Sequence, residues 1–343
     1  MTSLERVRRT LRGEEIDHLV AQPFCMMFAA EYSGFKYVDY TRDHRKVVEA
    51  QLRLVDDFGI DGVVLSTDPA RELIDLVGDG SIDWIDNQGP VVNEERAYLD
   101  DPRKLLKLKP ADPLGGGRMH DRVMGVEKLR KAVGNDVSVI GWIEGPISFA
   151  SELRGINHVM EDLILDEQVA CDLFDFAVEQ EVAFARAQLD AGADTIGMGE
   201  SATCLLGPKH YETFVLPRQK KILEMIRESH PHATLRFHCC GNTTHLLKCI
   251  ATLPADIIEL DYLVDLSVTR PTFSQTISGN VSTVETLLTG TPDDVYAAAR
   301  RCHRGAGANF IVGSGCDVAP MTPHDNLRAL IRYAREHKPT DLS

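Results

Sequence analysis

Eight short apolar runs, each followed by a longer amphipathic stretch, predict a (β/α)8 barrel for this chain of 343 residues. Two further observations support that α/β class. About 250 residues suffice for eight such units, so the chain can close a barrel and still carry insertions. The rival open, doubly wound sheet normally shows a glycine fingerprint after its first strand. Here the first run ends Gln22-Pro23-Phe24-Cys25-Met26-Met27, without glycine, and no Walker-type phosphate loop occurs in the chain.

The strands are predicted, in order, at residues 18–25, 62–67, 137–144, 194–200, 234–239, 257–262, 276–281 and 309–316. Each is rich in Val, Ile, Leu or Phe and bounded by turn residues. The clearest helix spans 166–191, where Val169, Leu173, Phe176, Ala177, Val182 and Phe184 recur at roughly helical spacing. Asp166 suits its N-cap, and Gly192 stands where a C-terminal glycine belongs. Residues 80–99 alternate apolar and polar around Asp86-Asn87-Gln88-Gly89 and predict a small hairpin. Residues 110–117, Pro-Ala-Asp-Pro-Leu-Gly-Gly-Gly, predict a loop. Together they suggest an insertion of about 80–117 after the second strand, within one barrel domain of residues 1–343.

Composition narrows the function. Hydrophobic residues make up 43% and charged residues 26%, which supplies a core and a solvated surface and excludes disorder and low-complexity classes. Lys and Arg total 37 against 52 Asp and Glu, a net charge of −15. So acidic a body is a poor match to nucleic-acid phosphates and to anionic membrane surfaces. No run of about eighteen apolar residues is present, and the N-terminus lacks a signal-peptide core, so a cytoplasmic location is expected. In a reducing compartment the cysteines, Cys25, Cys171, Cys204, Cys239, Cys240, Cys249, Cys302 and Cys316, are expected as thiols or metal ligands.

Chemistry in such barrels collects at the C-terminal strand ends. There the predicted strands place Cys25, Ser66, Glu144, Glu200, His238, Cys240, Asp261, Asn280 and Cys316. The sharpest motif is Phe237-His238-Cys239-Cys240-Gly241. Residues two apart on a strand share a face, so His238 and Cys240 can meet one site while Cys239 turns away. An imidazole and a thiolate suit Zn²⁺. Cys316 ends the eighth strand in Gly313-Ser314-Gly315-Cys316, where glycines let the backbone approach a bound group. These three ligands would leave a fourth tetrahedral position open, as in a catalytic zinc site.

The remaining candidates have two readings each. Glu144 precedes Gly145-Pro146, where a helix starts, and either serves the site or accepts a helix N–H. Glu200 and Asp261 suit general bases, partners of the histidine, or structural ion pairs. Asn280 either orients a bound cofactor or caps the next helix. Met26, Met27 and Phe28 read as core or pocket lining.

These residues resemble the uroporphyrinogen decarboxylase superfamily, and within it the zinc-dependent, corrinoid-linked methyltransferases of the methylcorrinoid:coenzyme M type. The likeness rests on Glu144-Gly145-Pro146-Ile147-Ser148-Phe149-Ala150-Ser151-Glu152-Leu153, the His238 strand, Gly279-Asn280-Val281, and the stretch from Gly313 through Cys316-Asp317-Val318-Ala319-Pro320 to Pro323. It covers nearly the whole chain in the same order, and the last stretch is the most specific. The resemblance implies zinc at His238, Cys240 and Cys316 and a (β/α)8 barrel. It also implies methyl transfer between a corrinoid (cobalamin), carried on a separate corrinoid-binding protein, and a small donor or acceptor: a thiol, folate, or a methyl ether or amine. Glu144, Glu200 and Asp261 are the candidate catalytic residues, expected to hold His238 or to handle a proton. A homodimer is compatible with the sequence. The true decarboxylases of this superfamily carry arginines just after the first strand to hold an acidic tetrapyrrole. Residues 24–31 here, Phe-Cys-Met-Met-Phe-Ala-Ala-Glu, contain none, which places decarboxylation second. A non-enzymatic zinc- or corrinoid-binding protein is the third reading.

Overall fold

The computed structural model describes residues 1–342. Eight parallel strands form one sheet: β1 (Val20–Ala21), β2 (Gly62–Val64), β3 (Ser138–Glu144), β4 (Thr195–Glu200), β5 (Thr234–Cys239), β6 (Ile257–Leu260), β7 (Thr276–Val281) and β8 (Phe310–Ser314). Their order is β1-β8-β7-β6-β5-β4-β3-β2, all pairs parallel, with helices around them. The barrel is thus nearly closed, with its seam between β1 and β2. There the Asp61 N–H donates to the Ala21 carbonyl at 2.8 Å, and the Asp61 carboxylate accepts from the Ala21 N–H at 2.8 Å. Arg6 holds that carboxylate at 2.7 Å. β1 is much shorter than residues 18–25, because Pro23 has no N–H to continue a ladder.

The helix expected at 166–191 spans Glu167–Asp190 and buries Ala170, Leu173, Phe174, Ala177, Val178 and Phe184. The buried stripe therefore includes Ala170 and Phe174 where Val169 and Phe176 were expected, and the Asp166 side chain makes no capping bond. In the long β2–β3 connection, Ile82–Asp83 pairs antiparallel with Val91–Val92. Trp84 follows that first strand, under the Arg42 guanidinium at 3.7 Å. No helix among the described residues is long and apolar enough to cross a membrane.

Side chains fill the barrel in layers because every second residue of a strand points inward. Val20, Ile257 and Ile311 close the bottom against Val7 of the helix Ser3–Leu11. Above them lie Gln22, Arg236 and Glu259, all buried. A third layer holds Phe24, Val64, Ile140 and Trp142. The Trp142 indole fits only because β4 offers glycines beneath it: a Cβ on Gly197 would lie 2.3 Å from the ring, and one on Gly199 2.9 Å from its nitrogen.

Candidate metal centre at the barrel mouth

The inward face of β5 carries Arg236 and His238, and the ladder runs one residue further, the Cys240 N–H donating to the Glu200 carbonyl at 2.9 Å. Cys240 therefore stays on the face of His238, while Cys239 lies fully buried on the helix side. Gly241 makes the turn that follows with φ 81°, and a Cβ there would lie 2.6 Å from the Cys204 sulfur. Its N–H donates to Asp261 at 2.9 Å.

Cys316 arrives from β8. Gly315 donates to the Val281 carbonyl at 2.9 Å, and a Cβ on it would lie 2.5 Å from the Tyr262 nitrogen. Val318 then donates to the Phe24 carbonyl at 2.8 Å, and the Asp317 carboxylate accepts the N–H groups of Met26 at 2.7 Å and Met27 at 3.2 Å. The loop bearing Cys316 is thus tied to the loop leaving β1.

These two constructions bring three donors together. His238 Nε2 lies 3.2 Å from Cys240 Sγ, and Cys240 Sγ lies 3.7 Å from Cys316 Sγ. All three ligand atoms fall within 4.8 Å of one another. A disulfide would need about 2.05 Å between sulfurs, so both thiols are free. Tetrahedral zinc, with Zn–S of about 2.3 Å and Zn–N of about 2.0 Å, requires edges of about 3.8 Å between sulfurs and about 3.5 Å between nitrogen and sulfur. The observed spacing is close to that template, and the donor set of one nitrogen and two sulfurs suits the ion. The residues fit it.

Crowding of the donors organises their protons. A hydrogen bond from Cys240, with help from His238, holds the Cys316 thiol down at about 4 against its burial. That bond, together with burial, pushes the Cys240 thiol up. Burial alone would lower His238, but the Cys316 sulfur and the Glu259 charge raise it to about 9. Cys316 is thus poised as a thiolate ligand near neutral pH.

Phe24 and Trp142 wall the centre, their rings 4.7 Å apart and 6.0 and 6.2 Å from the imidazole. Met26 packs against the same apolar layer, as its reading as lining anticipated. The partner facing His238 Nδ1 is none of the three acids expected for it. It is Glu259, whose Oε1 stands 3.5 Å away, just outside hydrogen-bond range, so that Nδ1 has no hydrogen-bond partner. Glu259 is in turn held by Arg236 at 3.0 Å, and Arg236 also donates to Gln22 Oε1. The available signal was a lone acid and a lone base inside apolar strands, Ile258-Glu259-Leu260 and Leu235-Arg236-Phe237.

The second-rank candidates scatter. Glu144 ends the inward face of β3 but bonds Arg71 at 2.9 Å; burial raises its carboxyl, and Arg71 opposes the shift. Glu200 faces outward. It, rather than Glu144, serves the helix Pro146–Arg154, accepting from the Ser148 N–H at 3.0 Å and from Gln219 at 2.8 Å. Asp261 accepts from Gly241 and from the Leu263 N–H at 3.0 Å, and so fixes the turn after Cys240. Asn280 gives its amide hydrogens to the carbonyls of Asp261 at 2.9 Å and Val264 at 2.7 Å. It thereby secures the loop after β6 rather than capping a helix.

Burial raises Glu200 from 4.5 to about 7, against its bonds from Gln219 and Ser148. A folded-state pKa above the unfolded one gives stability that is present below pH 4.5 and lost as pH rises through 7. Unfolding free energy is therefore expected to fall between those limits. Glu200→Gln is expected to flatten that fall, as read by urea midpoints at pH 5.5 and 8. An unchanged pH slope in the variant would remove Glu200 as a cause.

The family profile described as uroporphyrinogen decarboxylase (URO-D) matches residues 2–337. Methylcobamide:CoM methyltransferase MtbA of Methanosarcina mazei is 29% identical, over 98% of this chain and 98% of its own. A uroporphyrinogen decarboxylase of Parasynechococcus marenigrum is also 29% identical, over 81% of this chain and 79% of its own. A solved methyltransferase structure from Methanosarcina mazei shares the fold, with a TM-score of 0.84 at 23% identity over 98% of this chain and 99% of that one.

Proposed function

The chain belongs to the uroporphyrinogen decarboxylase (URO-D) family, and from that membership we propose that it is a zinc-dependent methyltransferase working with a corrinoid. The observation that carries this reading is the spacing of His238, Cys240 and Cys316: two donor–donor distances are close to the edges of a tetrahedral zinc site, and all three ligand atoms lie within 4.8 Å of one another. The Methanosarcina relative named for methylcobamide and CoM supports the same direction at full length. Bound by these three residues, zinc would supply a Lewis acid able to lower the pKa of a small thiol or to polarise the leaving heteroatom of a methyl ether or amine.

The protein's own residues do the rest. His238, Cys240 and Cys316 would hold the ion at two strand ends, those of β5 and β8, that the barrel fixes. Glu259 faces His238 Nδ1 and favours the tautomer that leaves Nε2 free to ligate. Asp261 holds the Gly241 turn and with it the direction of Cys240. Phe24 and Trp142 exclude water from the side of the imidazole. The corrinoid is proposed to arrive on a separate carrier protein docked over the mouth, because cobalt and the methyl partner must come within near-attack distance.

Polycarboxylate decarboxylation is disfavoured by the lack of cations after β1. Residues 24–31 offer no arginine, and the one guanidinium beside Glu144, Arg71, is fully buried and already bonded to Glu72 and Glu144. Protein purified without chelators is expected to hold about one zinc per chain. Mixed with methylcobalamin and a thiol, it is expected to produce the absorbance change of demethylation. Metal-free protein that is folded and active, or consumption of uroporphyrinogen without methyl transfer, would overturn the reading.

A further inference from the structure

Cys240 and Cys316 lie far apart in the chain, yet the barrel sets their sulfurs 3.7 Å apart. Both residues are partly exposed at the mouth, whereas Cys25 and Cys239 are buried. Backbone bonds fix this proximity. The Cys240 N–H donates to the Glu200 carbonyl at 2.9 Å, the Gly315 N–H to the Val281 carbonyl at 2.9 Å, and the Val318 N–H to the Phe24 carbonyl at 2.8 Å. Two thiols pinned in this way meet at a high effective concentration. A disulfide needs its sulfurs about 2.05 Å apart, so these two must approach by about 1.7 Å, shared between side chains that swing about their Cα–Cβ bonds. The neighbouring thiols are placed worse. Cys239 points away from the centre, its sulfur 3.7 Å from the Cys240 carbonyl. Cys204 stands beside Gly241 but outside the group formed by His238, Cys240 and Cys316.

We propose that Cys240 and Cys316 are a modification site: a small hydroperoxide joins them in a disulfide, which expels the metal and shuts the centre down reversibly. The expulsion rests on the zinc reading above, whereas the pairing rests on the backbone alone. One sulfur attacks a peroxide oxygen. The O–O bond breaks, a sulfenic acid forms, and the displaced oxygen leaves as water with the thiol proton. The second sulfur then attacks the sulfenic sulfur. The S–S bond forms, the S–O bond breaks, and a second water leaves with the second thiol proton. The two sulfurs give up two electrons, and the peroxide takes them. When the sulfurs start as zinc-bound thiolates, solvent supplies both protons and Zn²⁺ departs. Only the His238 imidazole then remains as a donor. Losing two ligands at about 100-fold each weakens zinc binding by about 10⁴-fold.

Zinc-loaded protein is treated with a small molar excess of hydrogen peroxide, and a chelating dye reads free zinc against a peroxide-free blank. About one zinc per chain is expected to be released. Free thiols are expected to fall by two, and a non-reducing digest to yield a peptide pair joined through Cys240 and Cys316. Dithiothreitol should cleave that bond, return both thiols and restore zinc uptake. Cys204→Ser should give the same release and the same cross-link, since its sulfur takes no part. A cross-link from Cys240 to Cys204 or Cys239 overturns the proposal and leaves the metal centre intact. So does oxidation to sulfinic acid that dithiothreitol cannot reverse, and so does zinc that stays bound with both thiols unchanged. Protein that takes up no zinc before oxidation sinks the metal-centre reading and the expulsion step with it. The cross-link, read in that same metal-free protein, then decides the pairing by itself.

Discussion

Cys316→Ser is expected to leave a folded barrel that no longer retains zinc and no longer moves a methyl group. Cys316 sits on the rim, past the end of β8, and is only partly buried. Its loss removes little from the core, whose layers lie below it. The effect on the metal is large. Structural zinc sites are worth about 12 kcal/mol over four ligands, so each ligand contributes about 3 kcal/mol, or roughly 100-fold in affinity. A serine hydroxyl is a harder and poorer donor and recovers little of that. Metal content after dialysis is therefore expected to fall from about one ion per chain to near zero. Thiol-dependent demethylation of methylcobalamin should then drop to background, with an unchanged circular dichroism spectrum. Cys171→Ser, on the outer helix Glu167–Asp190, is the control and should keep its zinc. A Cys316→Ser protein that holds zinc as tightly as the parent would remove this residue from the centre.

Arg236→Met is expected to be the most destabilising single change near the site. Arg236 and Glu259 are 2% and 1% exposed and bonded at 3.0 Å inside the barrel. Removing one partner leaves a buried carboxylate beneath His238, and broken buried pairs cost about 3–5 kcal/mol. Arg236→Met with Glu259→Leu removes both charges from an interior already capped by apolar layers above and below. The pair should recover most of the lost stability, since apolar replacement of a buried ion pair is often neutral. Zinc affinity should separate the two roles. It is expected to stay about 10–100-fold down in the double variant, because the group facing Nδ1 is gone. Unfolding midpoints and competitive zinc titrations read the two quantities independently. If the double variant binds zinc like the parent, Glu259 does not orient the ligand.

How much of this was legible beforehand follows from the period of a strand. The eight apolar runs marked all eight strands, because burial on both faces of a parallel sheet demands continuous hydrophobicity. The same demand blurred their ends: β1 kept two residues of its run, where Pro23 stops the ladder. His238, Cys240 and Cys316 were legible because alternation puts residues two apart on one face and because barrel chemistry gathers at strand ends. Both rules act along the chain alone.

Alternation does not say which face is the inside. In β4 the inward positions are Gly197 and Gly199, made small by the Trp142 ring above them, so Glu200 falls outward onto the helix Pro146–Arg154. Nothing in residues 194–200 reveals that, since the indole that excludes larger side chains comes from β3. The partner of His238 was hidden for a related reason. Glu259 faces it through the pairing of β5 with β6, which sets His238 opposite Glu259. Register between strands is fixed by the closure of the whole barrel and leaves no trace in either segment. The chain by itself thus determined the eight strands and the three donors they carry to the mouth. The tertiary structure decided which carboxylates stand beside those donors, because only closure of the sheet fixes which face is inner and which residues are neighbours across it.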